Sequence, residues 1–157
     1  MLLTLSTSNF RSFKEEAVFS MEATKLKNLK DTNVFSVGNI ELLSSAVVFG
    51  ANASGKSNFI KAFEKMKNII KNNSDLQKIK HYPHESFLLD LSTKESSTKF
   101  EIEVIIDKIK YKYGFIVSKN AKIEKEWLHS KNLKAYAKEV ELFSRENSKI
   151  ELHQDFK

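Results

Sequence analysis

Ala46-Val47-Val48-Phe49-Gly50-Ala51-Asn52-Ala53-Ser54-Gly55-Lys56-Ser57-Asn58-Phe59-Ile60 is the stretch on which the fold of this chain turns. Ala46 to Phe49 form an unbroken apolar run that stops at a glycine, which is how a short parallel strand buried on both faces reads. Gly50 to Ser57 satisfy G-x-x-x-x-G-K-[ST]. Beyond Ser57 the period changes: Phe59, Phe63, Met66 and Ile70 fall at i, i+4, i+7 and i+11, one face of a helix, and Asn72-Asn73-Ser74 ends it. The expected order is therefore strand, loop, helix, the context in which this motif binds phosphate. Glycines let the backbone curl so that successive N–H groups point inward. The helix N-terminus aims unsatisfied amides and its positive dipole end at the same anion. Lys56 supplies a compact positive charge for the β- and γ-phosphates, and Ser57 a hydroxyl for Mg²⁺.

Working outward, Leu2 to Leu5 and Ala17 to Met21 read as short strands around the turn Asn9-Phe10-Arg11-Ser12-Phe13. Glu22 to Asn39 is mostly polar with turn signals and reads as a surface loop. From about Phe100 the period becomes two. Phe100, Ile102, Val104 and Ile106 form one run, and Ile109, Tyr111, Tyr113 and Phe115 a second. They are separated by Asp107-Lys108, so they predict an antiparallel hairpin. Ile123 to Leu128 predicts a third strand. Val140 to Phe143 and Ile150 to Leu152 predict a second hairpin, turning through Arg145-Glu146-Asn147-Ser148.

With 157 residues, 41% hydrophobic and 29% charged, the chain suits one soluble domain with a core of its own. It contains no cysteine, which excludes disulfides and thiolate metal sites. MLLTLSTSNF lacks the basic start and long apolar run of a signal peptide. No stretch approaches the roughly 18 apolar residues of a membrane helix. These readings lead to the expectation of a cytoplasmic protein with no membrane partner. The formal charge of +6 attracts polyanions, but the lysines are spread along the chain and form no block, so nucleic acid is one candidate partner among others.

The phrase Asn9-Phe10-Arg11-Ser12-Phe13 ahead of a GANASGKSN loop resembles the ABC-type ATPase heads of the RecF, SMC and Rad50 group. Within that group it is most similar to the AAA-family ATP-binding proteins of the OLD-like and abortive-infection type. The strand phrases Phe100 to Val104, Tyr111 to Phe115, Ile123 to Trp127 and Leu142 to Arg145 resemble the antiparallel β-subdomain of those proteins. The resemblance implies an α/β P-loop NTPase lobe with an antiparallel β-subdomain over residues 1–157. Residues 1–75 would form the P-loop core and residues 76–157 mainly antiparallel strands. It implies ATP and Mg²⁺ as cofactors, held by Gly50, Asn52, Ala53, Ser54, Gly55, Lys56, Ser57 and Asn58, with Arg11 near the nucleotide and Ser57 on the metal. Phe10 and Phe13 are expected in the core. Ala53 stands where many such loops carry glycine, and its methyl should bias the backbone angles there. The implied partners are the remainder of the head and a second head, in a head-to-head homodimer. The implied setting is anti-phage defence or DNA maintenance.

The same resemblance calls for an acidic Walker B strand and a signature motif, and the sequence shows neither. Leu88-Leu89-Asp90-Leu91 and Val104-Ile105-Ile106-Asp107 come nearest, and both read as solvated turns. His81 and His84 flank Pro83 and lack a third ligand, so they read as loop histidines. Gln154 is a weak candidate for a metal-linking glutamine. Tyr111, Tyr113 and Phe115 read as one sheet face, and Trp127 as an apolar anchor. The alternatives to an ATPase lobe are a nucleotide sensor that does not hydrolyse, and a nucleic-acid-binding adaptor.

Overall fold

The computed structural model describes residues 1–25, 30–72, 84–154 and 156. Its strands are β1 (Leu2–Ser8), β2 (Ala17–Ser20), β3 (Val34–Val37), β4 (Ile40–Leu43), β5 (Thr98–Ile106), β6 (Ile109–Val117), β7 (Ile123–Asn132), β8 (Val140–Glu146) and β9 (Lys149–Leu152). Its helices are α1 (Lys30–Asn33), α2 (Lys56–Asn72) and α3 (Leu91–Lys94). Seven strands form one antiparallel sheet in the order β2-β1-β5-β6-β7-β8-β9, and β3 and β4 form a separate hairpin. The first twenty residues thus share a sheet with the second half of the chain: Leu5 lies opposite Ile102 and Thr7 opposite Phe100.

The hairpins follow from their turns. Ile106 pairs with Ile109, and the two residues between them, Asp107 and Lys108, take φ of 50° and 63°. Two successive positive φ values match the twist of a tight hairpin. Asn147, at φ 53°, begins the two-residue turn between β8 and β9. Both expected hairpins are present at these positions. The expected loop from Glu22 to Asn39 is only partly a loop. It contains α1 and β3, and Gly38 at φ 61° turns β3 into β4. Four-residue strands carry too few alternations for a period of two to stand out from polar surroundings.

Two clusters make the core. The larger joins Leu5, Phe10, Phe100, Phe115, Val117 and Ile123 of the sheet side to Ala62, Met66 and Ile69 of α2. Phe100 links Phe10 and Phe115, at ring separations of 5.3 and 5.5 Å. The smaller holds Leu3, Leu42, Ile105 and Leu133. Ile105 has the opposite parity to Phe100 and Ile102, so β5 contributes apolar side chains to both clusters. Burying Met66 and Ile69 contributes about 1.5–3 kcal/mol each.

Two sequence expectations need correction. The buried face of α2 is Ala62, Met66 and Ile69, whereas Phe63 and Ile70 are 41% and 43% exposed. The helix carries two apolar stripes, and a sheet on one side covers one of them. Residues 45–50 form no strand, and Val47 and Phe49 are 72% and 88% exposed. A parallel strand buried on both faces needs neighbours on both edges and both faces. Among the described residues no strand pairs with this run.

Candidate functional site

The loop Gly50–Ser57 leads directly into the first turn of α2. Its shape rests on local constraints. Gly55 takes φ 93°, and a Cβ there would lie 2.9 Å from Ser12 Oγ. A Cβ on Gly50 would lie 2.7 Å from Ser54 Oγ. Ala53 takes φ 62°, a left-handed conformation that costs a residue with a Cβ about 1–2 kcal/mol. The Ala53 methyl is thus carried in a conformation that glycine would adopt freely. Ser54 N donates to Ala51 O at 3.3 Å and Asn58 N to Gly55 O at 2.8 Å. Among the described residues the amides of Gly55, Lys56 and Ser57 meet no backbone acceptor. A helix start leaves such donors free, and they favour an anion.

Residues Ala53 to Asn58 line a hollow of about 160 Å³. Lys56 folds back across the loop, its Nζ donating to Gly50 O at 2.8 Å and to Ala51 O at 2.7 Å. Its ammonium is therefore held by two neutral carbonyls, acceptors that a charged oxygen can outcompete. Ser57 is exposed on the first turn. This donor set fits a polyphosphate: free amides, a lysine and a hydroxyl at one helix end.

The Asn9–Phe13 turn is fastened to the loop on one side. Asn58 Nδ2 donates to Ser12 Oγ at 2.7 Å, and the Phe13 ring lies 4.7 Å from that of Phe59. Phe10 is buried and Phe13 packs against the larger cluster, as expected. On its other side the turn holds residues 85–98. Asn9, at φ 51°, donates through Nδ2 to Thr93 O and Ser96 O, both at 2.9 Å, and its Oδ1 accepts from Phe87 N at 3.0 Å. Thr98 Oγ1 donates to Asn9 O at 2.9 Å. The sequence offered no sign of this clamp, because its partners lie more than seventy residues away.

Arg11 is brought beside the loop residues but is already engaged. Its guanidinium pairs with the Glu85 carboxylate, and its amide donates to Glu85 O at 2.7 Å. Lys65 Nζ reaches the other Glu85 oxygen at 3.3 Å. Arg11, Ser12, Asn58 and residues 84–89 border an open cleft of about 570 Å³. Asn58 lines both this cleft and the hollow of the loop. His84 borders the same cleft, its Nε2 buried and without a hydrogen-bond partner among the described residues, and burial followed by nearby Lys65 pushes its pKa below the ordinary value. Nothing in the sequence singles out Lys65, and His84 reads there only as a loop histidine.

The weaker candidates find other roles. Asp90 caps α3, accepting from Ser92 N at 2.8 Å and pairing with Lys14 at 2.8 Å. The Lys14 and Ser92 hydrogen bonds hold its carboxyl well below the usual range. Asp107 sits in its hairpin turn. His81 lies outside the described residues. Gln154 follows β9, at the sheet edge opposite β2. Tyr113 and Phe115 pack with the larger cluster. Tyr113 Oη donates to the buried carboxylate of Glu126 at 2.5 Å, and Arg145 pairs with that carboxylate at 2.7 Å. Trp127 lies against Gly114 and donates through Nε1 to Glu101 at 2.9 Å.

A loop with glycine near both ends opens a helix, and its free amides and a lysine meet at one hollow, a donor set that suits an anion. A protein-family profile described as "AAA domain, putative AbiEii toxin, Type IV TA system" matches residues 45–149, well over half of the chain, and the chain belongs to this AAA-type ATPase family. No curated protein matches it. No helix among the described residues is long and apolar enough to cross a membrane.

Proposed function

We propose that this chain is the ATP-binding lobe of an ABC-type ATPase head of the SMC, RecF and OLD-like kind. The observation that carries the reading is the loop itself. Its unpaired amides at the start of α2 and the Lys56 ammonium, parked on two carbonyls, are free to turn to the phosphates. Asn52 to Ser57 would wrap the phosphate chain, with Gly50 allowing the close turn and Asn58 fixing the loop to Ser12. Arg11 would stand at the rim. Mg²⁺ bound at the Ser57 hydroxyl would neutralise charge on the outer phosphates.

Hydrolysis needs a carboxylate placed to activate water. Among the described residues Asp90 and Asp107 are committed to a cap and a turn. The lobe is therefore read as binding nucleotide and depending on further parts for turnover. The exposed run Val47 to Phe49 supports this, as does the apolar cleft of about 470 Å³ lined by Leu5, Phe19, Val47, Val48, Ile60 and Phe63. Together they are the proposed seat for the remainder of the head, whose strands would flank residues 46–49. A second head completing the site, a cytoplasmic setting and a role in phage defence are parts of the same proposal. The family description points toward the last of these through its mention of a toxin system.

Calorimetric titration of the chain with Mg-ATP tests the reading, with AMP and adenosine as comparisons. Binding that strengthens with each added phosphate is expected. Equal affinity for adenosine and ATP, or no binding, refutes it. A nucleotide sensor that does not hydrolyse would give the same titration and show no turnover when the rest of its protein is restored.

A further inference from the structure

Far along β6 and β7 from the loop, the sheet carries a feature that the nucleotide site does not use. Lys110 lies directly opposite Lys131 across the β6–β7 ladder. Like charges in that position destabilise a sheet. Lys110 is compensated by Glu103 at 2.9 Å, a carboxylate that also lies 3.7 Å from Lys112. Exposed Lys108, Lys131, Lys134 and Lys138 have no carboxylate within 4.0 Å among the described residues. Glu139 and Glu141, on and beside the neighbouring strand β8, both face His129.

The loop after β7 folds toward these lysines. Leu133 N donates to Lys108 O at 2.9 Å and Lys134 N to Asn132 Oδ1 at 3.0 Å. The opposite wall comes from the β3–β4 hairpin. Gly38 approaches Leu133 so closely that a Cβ would lie 2.8 Å from its Cβ. Between them runs a groove of about 230 Å³ bordered by Asn39, Ile40, Lys110, Lys131, Lys134 and Tyr136. Tyr136 is fully exposed, at 102%, and takes φ 61°. A bulky residue in the left-handed region is an outlier that costs free energy, and a ring standing clear of the protein forgoes burial.

Lys131 and Lys134, exposed and without a carboxylate partner among the described residues, and an exposed aromatic ring in the left-handed region border one groove. Lysines bind phosphates, and a ring with a free face stacks an unpaired base. A folded acidic peptide would use the charges and leave the ring idle, and a duplex offers no free base face to it. We propose that this groove binds single-stranded nucleic acid, its backbone on Lys131, Lys134 and Lys108 and one base on Tyr136.

Fluorescence anisotropy of a labelled oligothymidine of about 12 nucleotides, titrated with the chain over a range of salt, tests this. Each phosphate contact contributes about −0.7 to the slope of log affinity against log salt. Lys131→Gln with Lys134→Gln should therefore flatten the slope by about 1.4. Tyr136→Ala should weaken binding roughly 5- to 150-fold, and Tyr136→Phe should restore it. All these positions are exposed, and circular dichroism checks that the variants fold. No binding, or a slope unmoved by the double lysine variant, overturns the proposal. So does a duplex of equal length bound as tightly with Tyr136→Ala silent. Displacement by polyglutamate at equal charge also overturns it, because the surface would then be a general polyanion site.

Discussion

Lys56→Ala probes the nucleotide site at its strongest single interaction. In the structure Nζ rests 2.8 Å from Gly50 O and 2.7 Å from Ala51 O. An ammonium about 4 Å from a phosphate charge, at an effective dielectric near 20, is attracted by about 4 kcal/mol. To reach that position it gives up two carbonyl acceptors, each worth about 1 kcal/mol net. The remaining advantage is about 2 kcal/mol, or about 30-fold in Kd. Calorimetry with Mg-ATP on wild type and variant measures it, with circular dichroism to confirm that α2 is intact. Because both acceptors of the ammonium belong to the loop, little global stability should be lost. A Kd within about threefold of wild type would refute the placement of the phosphates against this loop.

Gly114→Ala places a Cβ 2.3 Å from Trp127 Cζ2 and 2.5 Å from Cε2. Trp127 is the only tryptophan, and it is tied to Glu101. The variant should lose about 1–3 kcal/mol and shift the tryptophan emission; an unchanged melting temperature and spectrum would count against this packing. Glu85→Gln frees Arg11 and Lys65 from a shared carboxylate, so Mg-ATP should bind a few-fold more tightly while thermal stability drops; weaker binding would show instead that Glu85 holds Arg11 in its working position. Tyr113→Phe leaves the buried Glu126 with Arg145 as its remaining partner in this pair of contacts and should cost about 1–3 kcal/mol in urea unfolding. His84 has its folded pKa pushed below the ordinary 6.5 by burial. The unfolded chain therefore takes up the proton first, and stability present above that value should decline as pH falls through it toward the folded pKa. Melting temperatures from pH 7.5 to 5 should show this decline, and His84→Gln should flatten it.

The sequence by itself determined what depends on neighbours along the chain. The motif from Gly50 to Ser57, the helix that follows it and the two tight hairpins after Phe100 rest on glycine φ, helix ends and a period of two, all decided within a few residues. Tertiary structure decided the rest. The tie of Arg11 to Glu85, the reach of Asn9 to residues 87–97 and the meeting of Lys134 and Tyr136 with the β3–β4 hairpin join segments far apart in sequence. Which stripe of α2 is covered, and whether Val47 to Phe49 find a strand to pair with, depend on what else is present to pack against them. Local pattern records that a residue is apolar; only the packed surface says whether anything covers it.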